Sequence, residues 1–355
     1  MLVFDAHLDL SLNAIEYKRD LRRSVRDIRS DESGMTDLKG RGRGTVAFPE
    51  MRAAGIGLCV ATQLAGCMKP PAPVGSWNSP AEARAMTQRQ LAWYQAMEAE
   101  GELRQIRSWP EVEQHLEAWH ADSENSPIGY ILSLEGADSL RTLADLETSN
   151  EQGLRALGPA HYGKGRYALG HDQAGPLSEQ GRELLREMDR LGLILDATHL
   201  CDQTFWEALD LYQGPVWASH HNCRALVDDP RQLADDQIKA LAERGSVIGL
   251  AFDVWMVVPD WERGVTTHLD KPEANLEAVA DHLDHYCQLL GNARHVGIGT
   301  DLDGGFGTEQ TPAGLDLISD LNEFRAILER RGFSEQDLAG IFHGNFLDFL
   351  KKAWT

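Results

Sequence analysis

The sequence predicts an α/β chain folded as a (β/α)8 TIM barrel, with long loops at the C-terminal face of its strands. Three observations predict it. Eight strand-like runs occur in order, most of them followed by a stretch with helical patterning. The runs are apolar on both faces, as parallel strands buried under helices are. Histidines and carboxylates recur towards the same end of successive runs, the end where a barrel carries its chemistry.

The first run, LVFDAHLDL (2–10), places His7 and Asp9 at alternate positions. Alternate residues of a strand share a face. Two polar groups there are costly unless something pairs them, and a metal ion would. Residues 11–55 form a long excursion, with KGRGRG (39–44) as a loop. Its basic stretch Lys18–Arg29 is interleaved with acids and reads as a solvated segment. IGLCVATQ (56–63) is the second strand, and Pro80–Gly101 a helix rich in Ala, Gln, Met and Glu. IGYILSLEG (128–136) carries Glu135, and GLRALGPAH (153–161), the weakest pattern of the eight, carries His161.

The helix Ser178–Gly192 opens on an N-cap serine, lacks a full capping box because Gly181 holds the acid's place, and stops at glycine. LILDATHL (193–200) brings His199, and PVWASHH (215–221) brings His220 and His221. Helical stretches Asp235–Gly245, Asn275–Gly291 and Leu315–Gly332 surround SVIGLAF (246–252) and HVGIGTDLDG (295–304), the latter with Asp301 and Asp303. Residues 253–274 and 303–315 are loops that join the excursion at the C-terminal face. No fixed-period repeat or interdomain linker is visible. One barrel domain, 1–355, is expected, with a helical segment at about 334–354 packed on it.

Composition narrows the function. Net charge is −21 and the basic residues form no strong stripe, which argues against nucleic acid or anionic membrane as partner. No run of 18 apolar residues and no secretory pattern occurs. Five cysteines, an odd number without CxxC, make a disulfide framework unexpected and fit a reducing, cytoplasmic compartment.

A lone histidine at a strand end is usually a core or loop residue, and a lone aspartate there is usually a cap. The joint pattern points to metal. Imidazoles and carboxylates without thiolates suit Zn²⁺, and Mn²⁺, Co²⁺ or Fe²⁺ fit the same cage. Three imidazoles and at least two carboxylates exceed what one catalytic metal needs. Two metals bridged by a carboxylate fit better, with a hydroxide between them poised to attack a carbonyl and a nearby carboxylate to move the proton. His282 and His285, three apart on a helix without HExxH, read as structural. His115, His120 and His343 are not expected to be ligands, and His295 opens its strand at the wrong end. His268 lies in a loop, His171 in ALGHD reads first as a loop residue that could approach the active face, and Asp303 before Gly-Gly reads as a turn former.

DAHLDL, SLEG, DATHL, ASHHNCRAL, RHVGIGTDLDGG and GFSEQDLAGIFHGNFL resemble the signature segments of the renal (membrane) dipeptidase family of zinc peptidases, within the metal-dependent hydrolase (amidohydrolase-like) barrels. The likeness runs in order from residue 3 to about 350. It implies that His7 and Asp9 hold one zinc, that Glu135 bridges both, and that His199 and His220 hold the second. It implies that His161 binds substrate and steadies the oxyanion, that Asp301 shuttles the proton, and that Arg231 takes the terminal carboxylate. The implied activity is hydrolysis of dipeptides, C-terminal D-residues included, with two Zn²⁺ per chain; a homodimer is implied as well.

The sequence departs from the family at GPAHYGKGRYALGHD, where a Thr-His pair and an Asn- and Asp-containing loop are usual, and at His221, commonly a small residue. Residues 162–172 would line the pocket, so substrate choice stays open. The alternatives are another amide, lactam or acyl-amino acid substrate, a metal- and ligand-binding barrel without turnover, and a metal-dependent lyase or decarboxylase.

Overall fold

The computed structural model describes residues 1–68 and 72–355. Eight parallel strands form the expected barrel: β1 (Val3–Leu8), β2 (Ile56–Leu64), β3 (Ile128–Glu135), β4 (Leu154–Gly158), β5 (Ile194–Asp196), β6 (Val216–Trp217), β7 (Ile248–Leu250) and β8 (Val296–Ile298). Each pairs with the next, and β8 pairs with β1 through Asp5 and Ile298. A parallel bridge from Ala218 to Ile248 closes the ring between β6 and β7. Leu103–Gln105 adds to β3 outside the ring, and Gly66–Cys67 pairs with Ser76–Trp77 above it.

The strands are shorter than the apolar runs. β6, not β4, is the shortest, at two residues. His161, His199 and His220 therefore lie just beyond strand ends. Phe4 and Ala6 of β1, Leu58 and Val60 of β2, and Ile131, Ala156, Ile194 and Trp217 form one buried cluster with Phe346 and Phe349. Phe346 stacks on Phe4 (ring centroids 5.0 Å) and meets Trp217 at 6.0 Å. It comes from the expected C-terminal segment, which is three helical pieces, Glu335–Ala339, a π-turn at Gly340–Gly344, and Asn345–Ala353. The Asn345 amide donates to the carbonyls of Ala293 and Val296 and fastens this segment beside β8.

The helices follow the caps read from the sequence. Ser178 accepts from Gly181 N–H at 2.9 Å, and the helix Glu179–Leu191 stops at Gly192 in the left-handed region. Leu276–Leu290 likewise stops at Gly291 in the left-handed region, whereas Asp235–Glu243 and Leu321–Arg330 are capped by Arg244 and Arg331, one residue before Gly245 and Gly332. The long helix is Pro80–Ala99. No described helix is long and apolar enough to cross a membrane, and Cys59, Cys201, Cys223 and Cys287 are free thiols.

One expectation fails. The stretch Lys18–Arg29 is not wholly solvated, because Arg19 is 4% exposed. Its guanidinium binds both carboxylate oxygens of Glu32 (2.8 and 3.0 Å), Asn13 Oδ1 (2.8 Å), the Gly40 carbonyl (2.9 Å) and Asp303 Oδ2 (3.3 Å). Charge alternation marks a solvated face only where no partner folds back over it, and here the excursion does.

Candidate metal centre

The candidate cage is assembled from four strand ends. Two buried aspartates set its frame. Asp5 in β1 accepts from the N–H of His7 (3.2 Å) and from Thr300 beyond β8 (N–H 2.9 Å, hydroxyl 2.6 Å). Asp196 in β5 accepts in the same manner from Thr198 N–H (3.1 Å) and Ser219 N–H beyond β6 (3.0 Å). Each fixes the turn of one strand end and the neighbouring strand with it. The pairing of β1 with β2 also slips between Asp5 and Leu8, a bulge-type irregularity that re-aims the chain around His7. A Cβ on Gly249 or Gly299 would come within 1.8 Å of the Ser219 carbonyl, so both must be glycine for the loop bearing His220 to pack.

The groups converge. Glu135 Oε1 lies 3.0 Å from His199 Nε2 and 3.6 Å from His220 Nε2, and Oε2 lies 3.6 Å from His7 Nε2. His7 Nε2 is also 4.0 Å from Asp9 Oδ2 and 3.8 Å from Asp301 Oδ1. Two ligand-type trios, His7–Asp9–Glu135 and Glu135–His199–His220, therefore share Glu135; a third trio is His7–His220–Asp301. His199 (φ 67°), Asp301 (φ 59°) and Asp303 (φ 61°) hold left-handed backbone, a strain that gathers at sites where side chains must be aimed.

The far atoms of three of these groups are held. His220 Nδ1 meets Ser219 Oγ at 2.9 Å, His199 Nδ1 meets His171 Nδ1 at 3.3 Å, and Thr62 Oγ1 donates to Asp9 Oδ1. Such outer partners orient metal ligands. Asp196 and Ser219 carried no sequence signal beyond their place near the ligand-type residues, and Thr62, on β2, carried none.

The donor set fits a metal. His7 Nε2 is buried with no hydrogen-bond partner among the described residues, an expensive state for an imidazole nitrogen unless a cation takes its lone pair. Burial, the largest cause, drives Asp9 up to about 6 and Glu135 and Asp301 well above the usual carboxylate range. Burial likewise drives His7 down to about 3 and His199 and His220 well below the usual imidazole range. Each group resists the charge it would carry alone. Divalent cations would draw the protons off the carboxylates and bind the neutral imidazoles, so both shifts serve metal binding.

His161 stands beside the cage, Nε2 3.9 Å from Glu135 Oε1, with its side chain 29% exposed and its pKa lowered to about 3, first by burial and then by Arg231. Arg231 lines the same cavity of about 160 Å³ while itself 1% exposed. It donates to the His220 carbonyl (3.0 Å) and lies 3.2 Å from His221 Nδ1. His221 is thus buried against Arg231, and Tyr162 and His171 of the divergent loop pack around His199 (ring centroids 5.5 and 5.3 Å).

Asp303 is more than a turn former: its carboxylate accepts from Thr45 N–H and hydroxyl (2.8 Å each) and Val46 N–H (3.1 Å), locking the excursion to β8. His282, His285 and His295 are bonded to the Val257 carbonyl, Asp235 and the Ser246 carbonyl. His268 donates to the Thr311 carbonyl at 2.8 Å.

Known proteins share this plan. The model of the family described as "Membrane dipeptidase (Peptidase family M19)" matches residues 1–355. An uncharacterized dipeptidase of Schizosaccharomyces pombe is 32% identical over 48% of the chain and 39% of its own length. Dipeptidase tcpJ of Claviceps purpurea is 30% identical over 63% and 51%. The chain thus spans about half, or less, of the length of these curated relatives. Among solved structures, a metallopeptidase of Rhodobacter sphaeroides, liganded with a phosphinate mimic of the dipeptide L-Ala-D-Ala, has a TM-score of 0.80 at 26% identity. Dipeptidase AC, a family M19 metallopeptidase, has a TM-score of 0.78 at 27%. Each covers all of this chain and 99% of its own. With a family match from first residue to last and a barrel that superimposes on those of family metallopeptidases, this chain belongs to the membrane dipeptidase family.

Proposed function

We propose that the chain is a metal-dependent dipeptidase that hydrolyses the peptide bond of dipeptides, C-terminal D-residues included. Two zinc ions would be held by His7 and Asp9, by His199 and His220, and by Glu135 between them. The observation that carries the reading is the shared carboxylate: both Glu135 oxygens face imidazole nitrogens of different strands, and His7 Nε2 has no hydrogen-bond partner among the described residues. The L-Ala-D-Ala mimic in the Rhodobacter relative supports the substrate class.

When bound, two divalent cations would polarise the scissile carbonyl and lower the pKa of a water between them. The side chains do the rest. Asp301, 3.8 Å from His7 Nε2 and open to the cavity, accepts a proton and returns it to the leaving nitrogen. His161, neutral through burial, donates to the carbonyl oxygen as charge develops there. Arg231 offers its guanidinium to the terminal carboxylate.

The test is metal content joined to a dipeptide screen with L and D C-terminal residues. About two metals per chain, with cleavage lost on chelation and restored by zinc, is expected. Metal without cleavage of any dipeptide would remove the substrate class. No metal, with none taken up from added zinc, would remove the cage. The crowding of His199 by Tyr162 and His171 favours a second reading, another amide, lactam or acyl-amino acid, and N-acyl amino acids in the same screen test it.

A further inference from the structure

The chain carries a net charge of −21, yet the charges lining its catalytic cavity outside the candidate cage are mostly positive. They are Lys39, Arg231 and Arg263, set against two carboxylates, Asp253 and the proton carrier Asp301. Arg231 has its role above. The other two are left over, and they reach the cavity from separate segments: Lys39 from the excursion after β1, Arg263 from the loop after β7.

Neither is neutralised by an ion pair among the described residues. Arg263 donates to the Tyr162 hydroxyl at 3.2 Å and lies over the rings of Trp255 (4.7 Å) and Tyr162 (5.6 Å). These aromatic faces hold the guanidinium in place and leave most of its N–H donors free. Lys39 donates to Gln310 Oε1. The Gln310 amide in turn donates to Asp253 at 2.7 Å, and the Trp255 indole donates to the other Asp253 oxygen at 2.6 Å. Asp253 is thereby engaged on both oxygens. In the adjoining cavity, which Arg263 also lines, Asp138 accepts from the N–H groups of Cys67 and Arg166, and Asp172 from that of Gly163.

We infer that the substrate bears a second carboxylate besides the terminal one, an Asp or Glu side chain of the dipeptide, and that Lys39 and Arg263 bind it. This rests on the dipeptidase reading above. Two cations at the mouth of a site on an otherwise acidic protein also focus a local positive field on such a substrate.

The test compares kcat/KM of the metal-loaded full chain on matched dipeptides, Glu against Gln and Asp against Asn, at each of the two positions. The acid is expected to win at one position by about 3- to 10-fold, the range left to charge pairs whose cations, like Lys39 and Arg263, are exposed. Lys39→Met with Arg263→Met should bring that ratio close to one, whereas Lys39→Arg with Arg263→Lys should keep it. Circular dichroism and melting verify that the variants are folded; should the double variant fail, Arg263→Gln alone must lower the ratio. Equal rates within every pair, or an acid preference that survives loss of both cations, would overturn the inference and leave the dipeptidase reading standing. Failure to cleave any dipeptide, neutral or acidic, would strike that reading itself.

Discussion

His199 Nε2 and His220 Nε2 approach to 3.2 Å, and both face Oε1 of Glu135. With their Nδ1 atoms held by His171 and Ser219, the two rings are locked with lone-pair atoms turned on one another. That arrangement favours a cation over a proton, and the predictions below follow from it and from its surroundings.

Asp301→Asn should lower kcat by about 10²- to 10⁴-fold, the usual worth of a positioned acid–base group. Metal content should stay at the wild-type level, because His7, Asp9, Glu135, His199 and His220 are untouched. Elemental analysis beside steady-state kinetics gives the answer. Loss of metal in step with activity would make Asp301 a ligand instead, as its place in the trio with His7 and His220 allows.

Arg231→Met should cut kcat/KM on dipeptides by at least about 30-fold, since a buried guanidinium partner is removed from a carboxylate. Dipeptide amides, which lack that carboxylate, should lose far less. An equal loss on both substrates would mean that Arg231 acts by propping the His220 carbonyl, to which it donates at 3.0 Å.

Asp253 offers a pH test away from the cage. Burial raises it to about 6 against an ordinary value near 3.8. The folded protein holds that proton more tightly than the unfolded chain, so its contribution is complete below about pH 4 and lost as pH climbs through about 6. Wild type should therefore lose about 2–3 kcal/mol relative to Asp253→Asn between about pH 4 and pH 7. Urea unfolding across that range measures it; a flat difference would show that Asp253 titrates normally.

Asp303→Ala should destabilise by about 2–4 kcal/mol, because Thr45 and Val46 lose their acceptor and Arg19 loses a buried counter-charge. The melting temperature should fall while the cage residues still bind metal at saturating zinc. A drop in metal stoichiometry with no change in melting would place Asp303 in the centre rather than in the frame.

The barrel and the identity of its polar end were legible because each signal is local. Parallel strands read as unbroken apolar runs, and His7, Glu135, His199 and His220 interrupt or end such runs. Partnership over long separations was not legible. Arg19 reads as one basic residue among acids until Asp303, 284 positions away, is folded against it. Asp303 reads as a turn because its φ of 61° suits one, while its acceptors' role depends on Thr45. Strand lengths were overread for the same reason. An apolar run continues past Trp217 to Ala218, but pairing along it narrows to a single bridge, and the following residues are held by Asp196 and the neighbouring glycines instead.

The stack of Phe346 on Phe4 sets a timetable for biosynthesis. At about 5–20 residues per second, the ring that covers Phe4 leaves the ribosome roughly 20–70 s after it. Throughout that interval β1 has no floor beneath it, and for most of it no β8 beside it. The nascent chain must carry an uncovered apolar barrel end until Phe346 emerges, and an open strand edge until β8 does, which makes it a natural client for chaperones that bind exposed strand edges.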